Sequence, residues 1–189
     1  VTMGLRFAFA LRHFWPARGL NALGLETTLA ALARADAAKG RPADRHQSRV
    51  LTVLTHAYWR MGQHEKALMH AWRNLEVASS IDDGVGRALA HANIGNIERS
   101  LGHLDTAEPH LRTSLRIADE TGDTLLYPHA LHGLAAIATA RGQAVEADQR
   151  FRELLDLRRR EGHGYRLVTA LLNAASAAVD LDDWSRVRG

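Results

Sequence analysis

The chain of 189 residues is 46% hydrophobic and 24% charged, a composition that excludes a largely disordered protein. It contains no cysteine, which excludes disulfide frameworks, thiolate nucleophiles and cysteine-based zinc sites and favours the cytoplasm. The formal charge of +3 is small, no Lys/Arg block suggests a nucleic-acid-binding arm, and no apolar run reaches the roughly 18–20 residues that span a bilayer.

The first 40 residues predict a divergent pair of helices. Apolar residues recur at helical spacing over 7–15 and 23–38, and Gly19 between them can end the first helix. The first segment is apolar on nearly every side, so we expect an apolar face to remain exposed at this end of the molecule. A polar loop at 39–44 separates the pair from the rest of the chain.

The sequence that follows repeats with a period of 40 residues. Glycines and alanines recur in one register, at Gly62, Gly102 and Gly142 and at Ala67, Ala107 and Ala147. An amphipathic run ends at each glycine, and a second run begins near each alanine and ends at a further stop signal. Each unit is therefore predicted to be two helices joined by a short turn, with the alanine where the helices cross most closely.

The spacing predicts helices at 46–61, 65–80, 87–101, 105–120, 127–141 and 144–160, followed by a lone helix at 165–180. We expect one array over 1–189, made of the divergent pair at 1–40, repeats at 46–84, 85–124 and 125–164, and a half repeat at 165–189. No segment predicts a β-strand. The predicted fold class is all-α, an α-solenoid of antiparallel helix pairs.

Three segments carry a resemblance to a known family, namely 92–96, 101–107 and 117–123. They resemble the tetratricopeptide repeat (TPR) family in a long-period form of about 40 residues. The resemblance implies a right-handed superhelix that binds proteins or peptides and does not perform catalysis. Two residues depart from the family pattern: Glu98 takes the position that is aromatic in Tyr58, and Pro109 lies in the first turns of its helix.

A narrower resemblance involves the segment 10–19 followed by 29–33, which is similar to the opening of the repeat arrays in actinobacterial multidomain transcriptional regulators. Those proteins join a DNA-binding domain and a nucleotide-binding switch domain to such an array. The resemblance implies a sensor or interaction segment of a regulator. Two alternatives stay open: a free-standing adaptor that dimerises through its apolar ends, and a peptide-controlled regulator of another enzyme.

The first helix of each pair is expected to line the inner face of the superhelix. On this face we expect a polar, positive groove formed by Arg49, His56, Arg60, Asn93, Asn96, Arg99, His129, His132 and Asn173. In similar repeats, amides such as those of Asn93 and Asn96 hold the backbone of an extended peptide, and arginines can select acidic groups. The alternative is that the two asparagines tie neighbouring helices together.

The expected partner is a protein or an extended peptide, with acidic groups that suit the arginines. We expect no direct contact with nucleic acid, because no predicted helix has a basic recognition face, and no membrane association. A homodimer through the apolar ends is a further expectation.

No pattern predicts catalysis, a resident cofactor or a metal site. The sequence has no HExxH motif, no Gly-x-Ser-x-Gly elbow and no phosphate-binding loop. His129 and His132 share a helical face and could supply two metal ligands, with His91 as the third, but we favour no metal. The histidines at 13, 46, 64, 103 and 110 are expected near turns or on exposed faces, without a special role.

Overall fold

A computed structural model describes residues 2–38, 43–123 and 126–161. The helices in these ranges are α1 (Thr2–Ala10), α2 (Phe14–Ala17), α3 (Asn21–Asp36), α4 (Arg45–Arg60), α5 (His64–Ser80), α6 (Gly84–Ser100), α7 (Leu104–Thr121), α8 (Tyr127–Ala140) and α9 (Ala144–Glu161). A 3₁₀ turn at Leu11–His13 joins α1 to α2. The predicted helix at 165–180 lies outside the described residues.

The repeating part of the chain forms the helices that its periodicity predicts. From α4 to α9 every boundary lies within one residue of the prediction, except that α6 begins at Gly84 instead of residue 87. The prediction for the first helix was wrong in its bounds, because α1 already begins at Thr2. Leu5 and Ala8 explain the earlier start, since both are fully buried on the face that packs against the next helices.

The two helices of each pair are joined by the same tight turn. Gly19, Gly62, Gly102 and Gly142 all have φ between +70° and +84°, a left-handed conformation that strains other residues. In the second of these turns the Gln63 N–H donates to the Tyr58 carbonyl at 2.9 Å, and the other three turns repeat this bond. The divergent first pair therefore has the same connection as the regular repeats.

Small residues set the close approach of the helices within a pair. Ala67 and Ala107 are fully buried and Ala147 is almost so, as predicted for the crossing position. A Cβ atom added to Gly95 on α6 would lie 2.6 Å from Leu111 Cγ and 2.9 Å from the Ala107 carbonyl oxygen on α7. At Gly95, where α6 meets α7, there is thus no room for a larger side chain.

One hydrophobic core runs from the divergent pair into the repeats. It joins Leu5 of α1, Leu32 of α3, Leu54 of α4, Ala71 of α5 and Ile97 of α6. The first helices α1, α4, α6 and α8 contact one another in succession and form one layer of the stack. None of the described helices is both long and apolar enough to cross a bilayer. The predicted all-α class is confirmed.

Candidate functional site

The predicted groove residues that the structure describes lie on three neighbouring first helices. They are Arg49, His56 and Arg60 on α4, Asn93, Asn96 and Arg99 on α6, and His129 and His132 on α8. Because α4 contacts α6 and α6 contacts α8, these side chains follow one another along the stack. We call this surface the α4–α6–α8 face. Asn173 lies outside the described residues.

A hydrogen bond between His56 and Asn93 joins α4 to α6. The His56 Nε2 lies 3.0 Å from Asn93 Oδ1, and since an amide oxygen only accepts, the imidazole donates through Nε2. Burial is the main reason why the pKa of His56 is lowered from its ordinary value, and the nearby Arg60 lowers it further. The neutral imidazole thus forms this contact.

Asn96 joins α6 to α8. Its Nδ2 donates to the Ala92 carbonyl at 2.9 Å and to the His129 carbonyl at 3.1 Å. Gly133 of α8 lies directly opposite, because a Cβ atom at that position would lie 2.7 Å from Asn96 Oδ1. The absence of a side chain at Gly133 is what allows the amide to reach across the helix interface.

Both asparagines are buried ties between helices in this geometry, as the alternative prediction has it. Asn93 is only 4% exposed and Asn96 only 5%. Within the described part of the chain, Asn93 Nδ2 and Asn96 Oδ1 have no hydrogen-bond partner. Peptide binding by these amides stays a prediction.

Arg99 differs from the other cations of the α4–α6–α8 face in its burial. Its side chain is half-buried, and its buried Nε has no hydrogen-bond partner among the described residues. Burial lowers the pKa of Arg99 from its ordinary value, because the charged form loses solvation. A guanidinium that is partly withdrawn from water without an anion beside it is costly, and an anionic ligand would offset that cost.

The two α4 arginines differ from Arg99. Both Arg49 and Arg60 are exposed. The Arg49 guanidinium lies 5.4 Å from the centre of the Phe9 ring of the first pair, which is a cation–π contact that the sequence did not predict. The divergent pair therefore helps to position a cation on the α4–α6–α8 face.

Sequence reasoning missed a cluster of aromatic and imidazole rings between α5, α6 and α7. The Nδ1 atoms of His91 and His110 lie 2.9 Å apart, so one ring donates and the other accepts. The Trp72 ring meets His110 edge-on, with centroids 5.2 Å apart. These ring contacts of His110 were not predicted, and His91 pairs with His110.

A comparison of equivalent positions in the 40-residue repeats could have indicated this cluster. In it, His91, Glu98 and His110 correspond to Leu51, Tyr58 and His70 of the preceding repeat. The second repeat thus places polar side chains where the first has an apolar one and an aromatic one. In the described ranges, no group of three or more His, Asp or Glu side chains could hold a metal ion.

The comparisons with known proteins agree with this architecture. Residues 47–120 match the tetratricopeptide repeat family. The fold is a TPR-like α-solenoid. No curated protein matches the sequence.

Solved structures with the same fold share little sequence with the chain. Kinesin light chain TPR-like repeats from Podosopora anserina are 15% identical, with a TM-score of 0.72 over 100% of this chain and 92% of that one. BtubC from P. vanneervenii is 16% identical, with a TM-score of 0.75 over 94% and 73%. A Rap protein complexed with competence and sporulation factor is 18% identical, with a TM-score of 0.73 over 93% and 54%.

Proposed function

We propose that the chain is a non-catalytic module that binds a protein or an extended peptide on the α4–α6–α8 face. Solenoids of this kind use extended concave surfaces for binding. The contacts of α4 with α6 and of α6 with α8 support the choice of this face. The observation that carries the proposal is Arg99, a half-buried cation without an anionic partner in the described chain. The preferred partner is acidic.

The distribution of ion pairs supports an acidic partner. On α7, the second helix of its pair, Glu108 forms ion pairs with both Arg112 and Arg141. On α6, Glu98 pairs with His103. By contrast, no ion pair with a described residue involves the arginines of the α4–α6–α8 face. Within the described part of the chain, this face thus carries positive charge that no carboxylate neutralises.

We further propose that the module is the sensor or interaction segment of a transcriptional regulator. The support is the resemblance of segments 10–19 and 29–33 to the arrays of actinobacterial regulators. A free-standing homodimeric adaptor is the second candidate, because Met3 and Phe7 on α1 are 76% and 56% exposed. The Rap protein complexed with competence and sporulation factor supports a third, a peptide-controlled regulator of another enzyme.

A peptide selection followed by a matched pair of variants tests the binding proposal. Peptides selected on the immobilised chain should be acidic, and Arg99→Gln should weaken their binding about tenfold in calorimetry, since a charge-assisted hydrogen bond contributes roughly 1.5–3 kcal/mol. The control Arg34→Gln removes an exposed arginine of α3 and should leave the affinity unchanged. Equal affinities for wild type and Arg99→Gln would contradict the proposal.

The regulator assignment has its own test in the native cell. An immunoblot with an antibody against this chain should show a protein much larger than 20.8 kDa, and chromatin immunoprecipitation should recover specific promoter fragments. A native band at 20.8 kDa that recovers no DNA would favour the adaptor.

A further inference from the structure

A cavity of about 600 Å³ lies between the divergent first pair and the first regular repeat. Its walls come from α2, α3 and α4 and are mostly apolar, with Trp15, Leu25, Val53, Ala57 and Met61 among the lining residues. A volume of this size is typical of sites for small organic ligands, which occupy clefts of about 300–1,000 Å³. The cavity is thus large enough for a ligand of several carbon atoms, and its walls are apolar enough to contact the apolar part of such a ligand.

The wall that Trp15 forms depends on a specific glycine. A Cβ atom on Gly24 of α3 would lie 2.5 Å from Trp15 Cγ, so any other residue there would displace the indole ring. The indole Nε1 is buried and has no hydrogen-bond partner among the described residues. Trp15 is therefore held in place by close packing and not by a polar contact.

The charged residues that line the cavity make it positive. Arg12 and Arg60 contribute two guanidinium groups, and the exposed Glu26 contributes one carboxylate. The Arg12 side chain is held in position, because its Nη1 donates to the Phe9 carbonyl at 3.0 Å and its guanidinium lies 4.0 Å from the Phe9 ring centre. Arg60, the last residue of α4, makes no ion pair with the described part of the chain. Both cations remain available to an anion.

We propose that this cavity binds a small organic acid with an apolar body, such as a medium-chain or aryl-alkyl carboxylate. The apolar body lies against Trp15, Leu25 and Val53. The carboxylate accepts hydrogen bonds from the guanidinium groups of Arg60 and Arg12, whose planar donors match its two oxygens. This binding is distinct from partner binding through Arg99, although Arg60 also belongs to the α4–α6–α8 face, and it makes the junction of the first pair with the repeats a sensor of small acids.

Calorimetry with paired probes tests the proposal. We use 4-phenylbutyrate and decanoate as acids, each against its neutral alcohol, with decanoate kept below its micelle concentration. Wild-type protein should bind each acid saturably and at least tenfold more tightly than the alcohol. Arg60→Gln should reduce the affinity for the acid to that for the alcohol and leave alcohol binding unchanged. Arg34→Gln should bind both probes as wild type does.

A second variant tests the position of the apolar body. Ala57→Trp should fill the cavity and abolish binding of acid and alcohol alike, and circular dichroism checks that the variant is folded. If that variant does not fold, Arg60→Gln still tests the proposal, because Arg60 is exposed and outside the core and its substitution should not disturb folding. The proposal is overturned if wild type binds no acid, if the alcohol binds as tightly as the acid, or if Arg60→Gln binds the acid unchanged.

The same measurements separate this inference from the proposed function. Arg99→Gln should bind phenylbutyrate normally while losing affinity for selected acidic peptides. Acid binding without any selected peptide would leave the cavity proposal standing and contradict the peptide-binding face.

Discussion

At the scale of single residues, buried histidines couple the stability of the protein to pH. In the His91–His110 contact the accepting ring must be neutral, because only a neutral imidazole can accept through Nδ1. The pKa of His91 is lowered to about 4, mainly by burial and also by electrostatic repulsion from His110, Arg116 and Arg87. Burial also lowers the pKa of His56, His70 and His110.

These shifts predict a loss of stability in acid. A folded-state pKa below the unfolded value of 6.5 means that the unfolded chain binds protons first as the pH falls. The stabilisation is fully present above pH 6.5 and is lost as the pH falls through the folded-state value, about 4 for His91. With allowance for partial exposure, His91 alone contributes on the order of 1–2 kcal/mol. Urea denaturation between pH 7.5 and 4.5 measures this slope.

His91→Leu is the informative variant for this prediction, since Leu51 and Leu131 occupy the same register position in the other repeats. We expect it to make the free energy of unfolding less dependent on pH. Substitution of the exposed His13 by Asn should leave the dependence as it is in wild type. An unchanged slope in His91→Leu would show that the imidazole pair is not the source.

At the scale of helices and turns, two glycines of the second repeat have different roles. Gly102 adopts φ +84° and has open space around its missing Cβ, so only its backbone conformation favours glycine. Gly95 lies within a helix, and a side chain there would clash with α7, since an added Cβ would lie 2.9 Å from the backbone oxygen of Ala107. A substitution by alanine is therefore expected to destabilise the protein at both positions, but for a different reason at each.

We expect Gly102→Ala to lower the free energy of unfolding by about 1–2 kcal/mol through left-handed strain. Gly95→Ala should lower it by about 1–3 kcal/mol through overpacking against α7. The control is Gly4→Ala in α1, where the new Cβ would lie 3.9 Å from Ala31 Cβ, an ordinary contact. That variant should be neutral or stabilising, because alanine favours a helix by up to about 1 kcal/mol. Chemical denaturation compares all three, and a stable Gly95→Ala would show that α6 and α7 can separate without cost.

The sequence predicts what is local and periodic in these elements. Helix ends follow from residues such as Gly62 and Gly102, whose role is decided within a few positions of the chain. The start of α1 was missed because its apolar residues show no clear helical face, and burial of Leu5 against later helices fixes it. The contacts of the candidate sites are harder to predict from the sequence than the helix ends. The His91–His110 contact depends on which rotamers meet between two helices, and the Trp15 cavity lies between elements that do not repeat.

At the scale of the whole molecule, the core is continuous over one part of the stack and divided over the other. The largest cluster includes residues from α1 to α6, whereas Leu131, Ala135 and Phe151 form a separate cluster between α8 and α9. In a solenoid each unit contacts mainly its neighbours, so a local loss of packing destabilises nearby units most. The divergent first pair should thus unfold together with α4 to α6 and not as a detachable cap.

Hydrogen exchange on a core variant tests this coupling. Leu54 of α4 is fully buried at the centre of the large cluster, and Leu54→Ala should cost about 2–5 kcal/mol through lost contacts and the cavity that remains. The protection of amides should fall in α1, α3 and α6 as well as in α4, and less in α8 and α9. The matched variant Phe151→Leu should show the reverse order, because Phe151 packs in the separate cluster. Equal loss of protection along the whole described chain in both variants would mean that the array unfolds as one unit. In that case the division between the clusters would have no energetic consequence, since nearest-neighbour coupling would be strong enough to transmit either defect through every repeat.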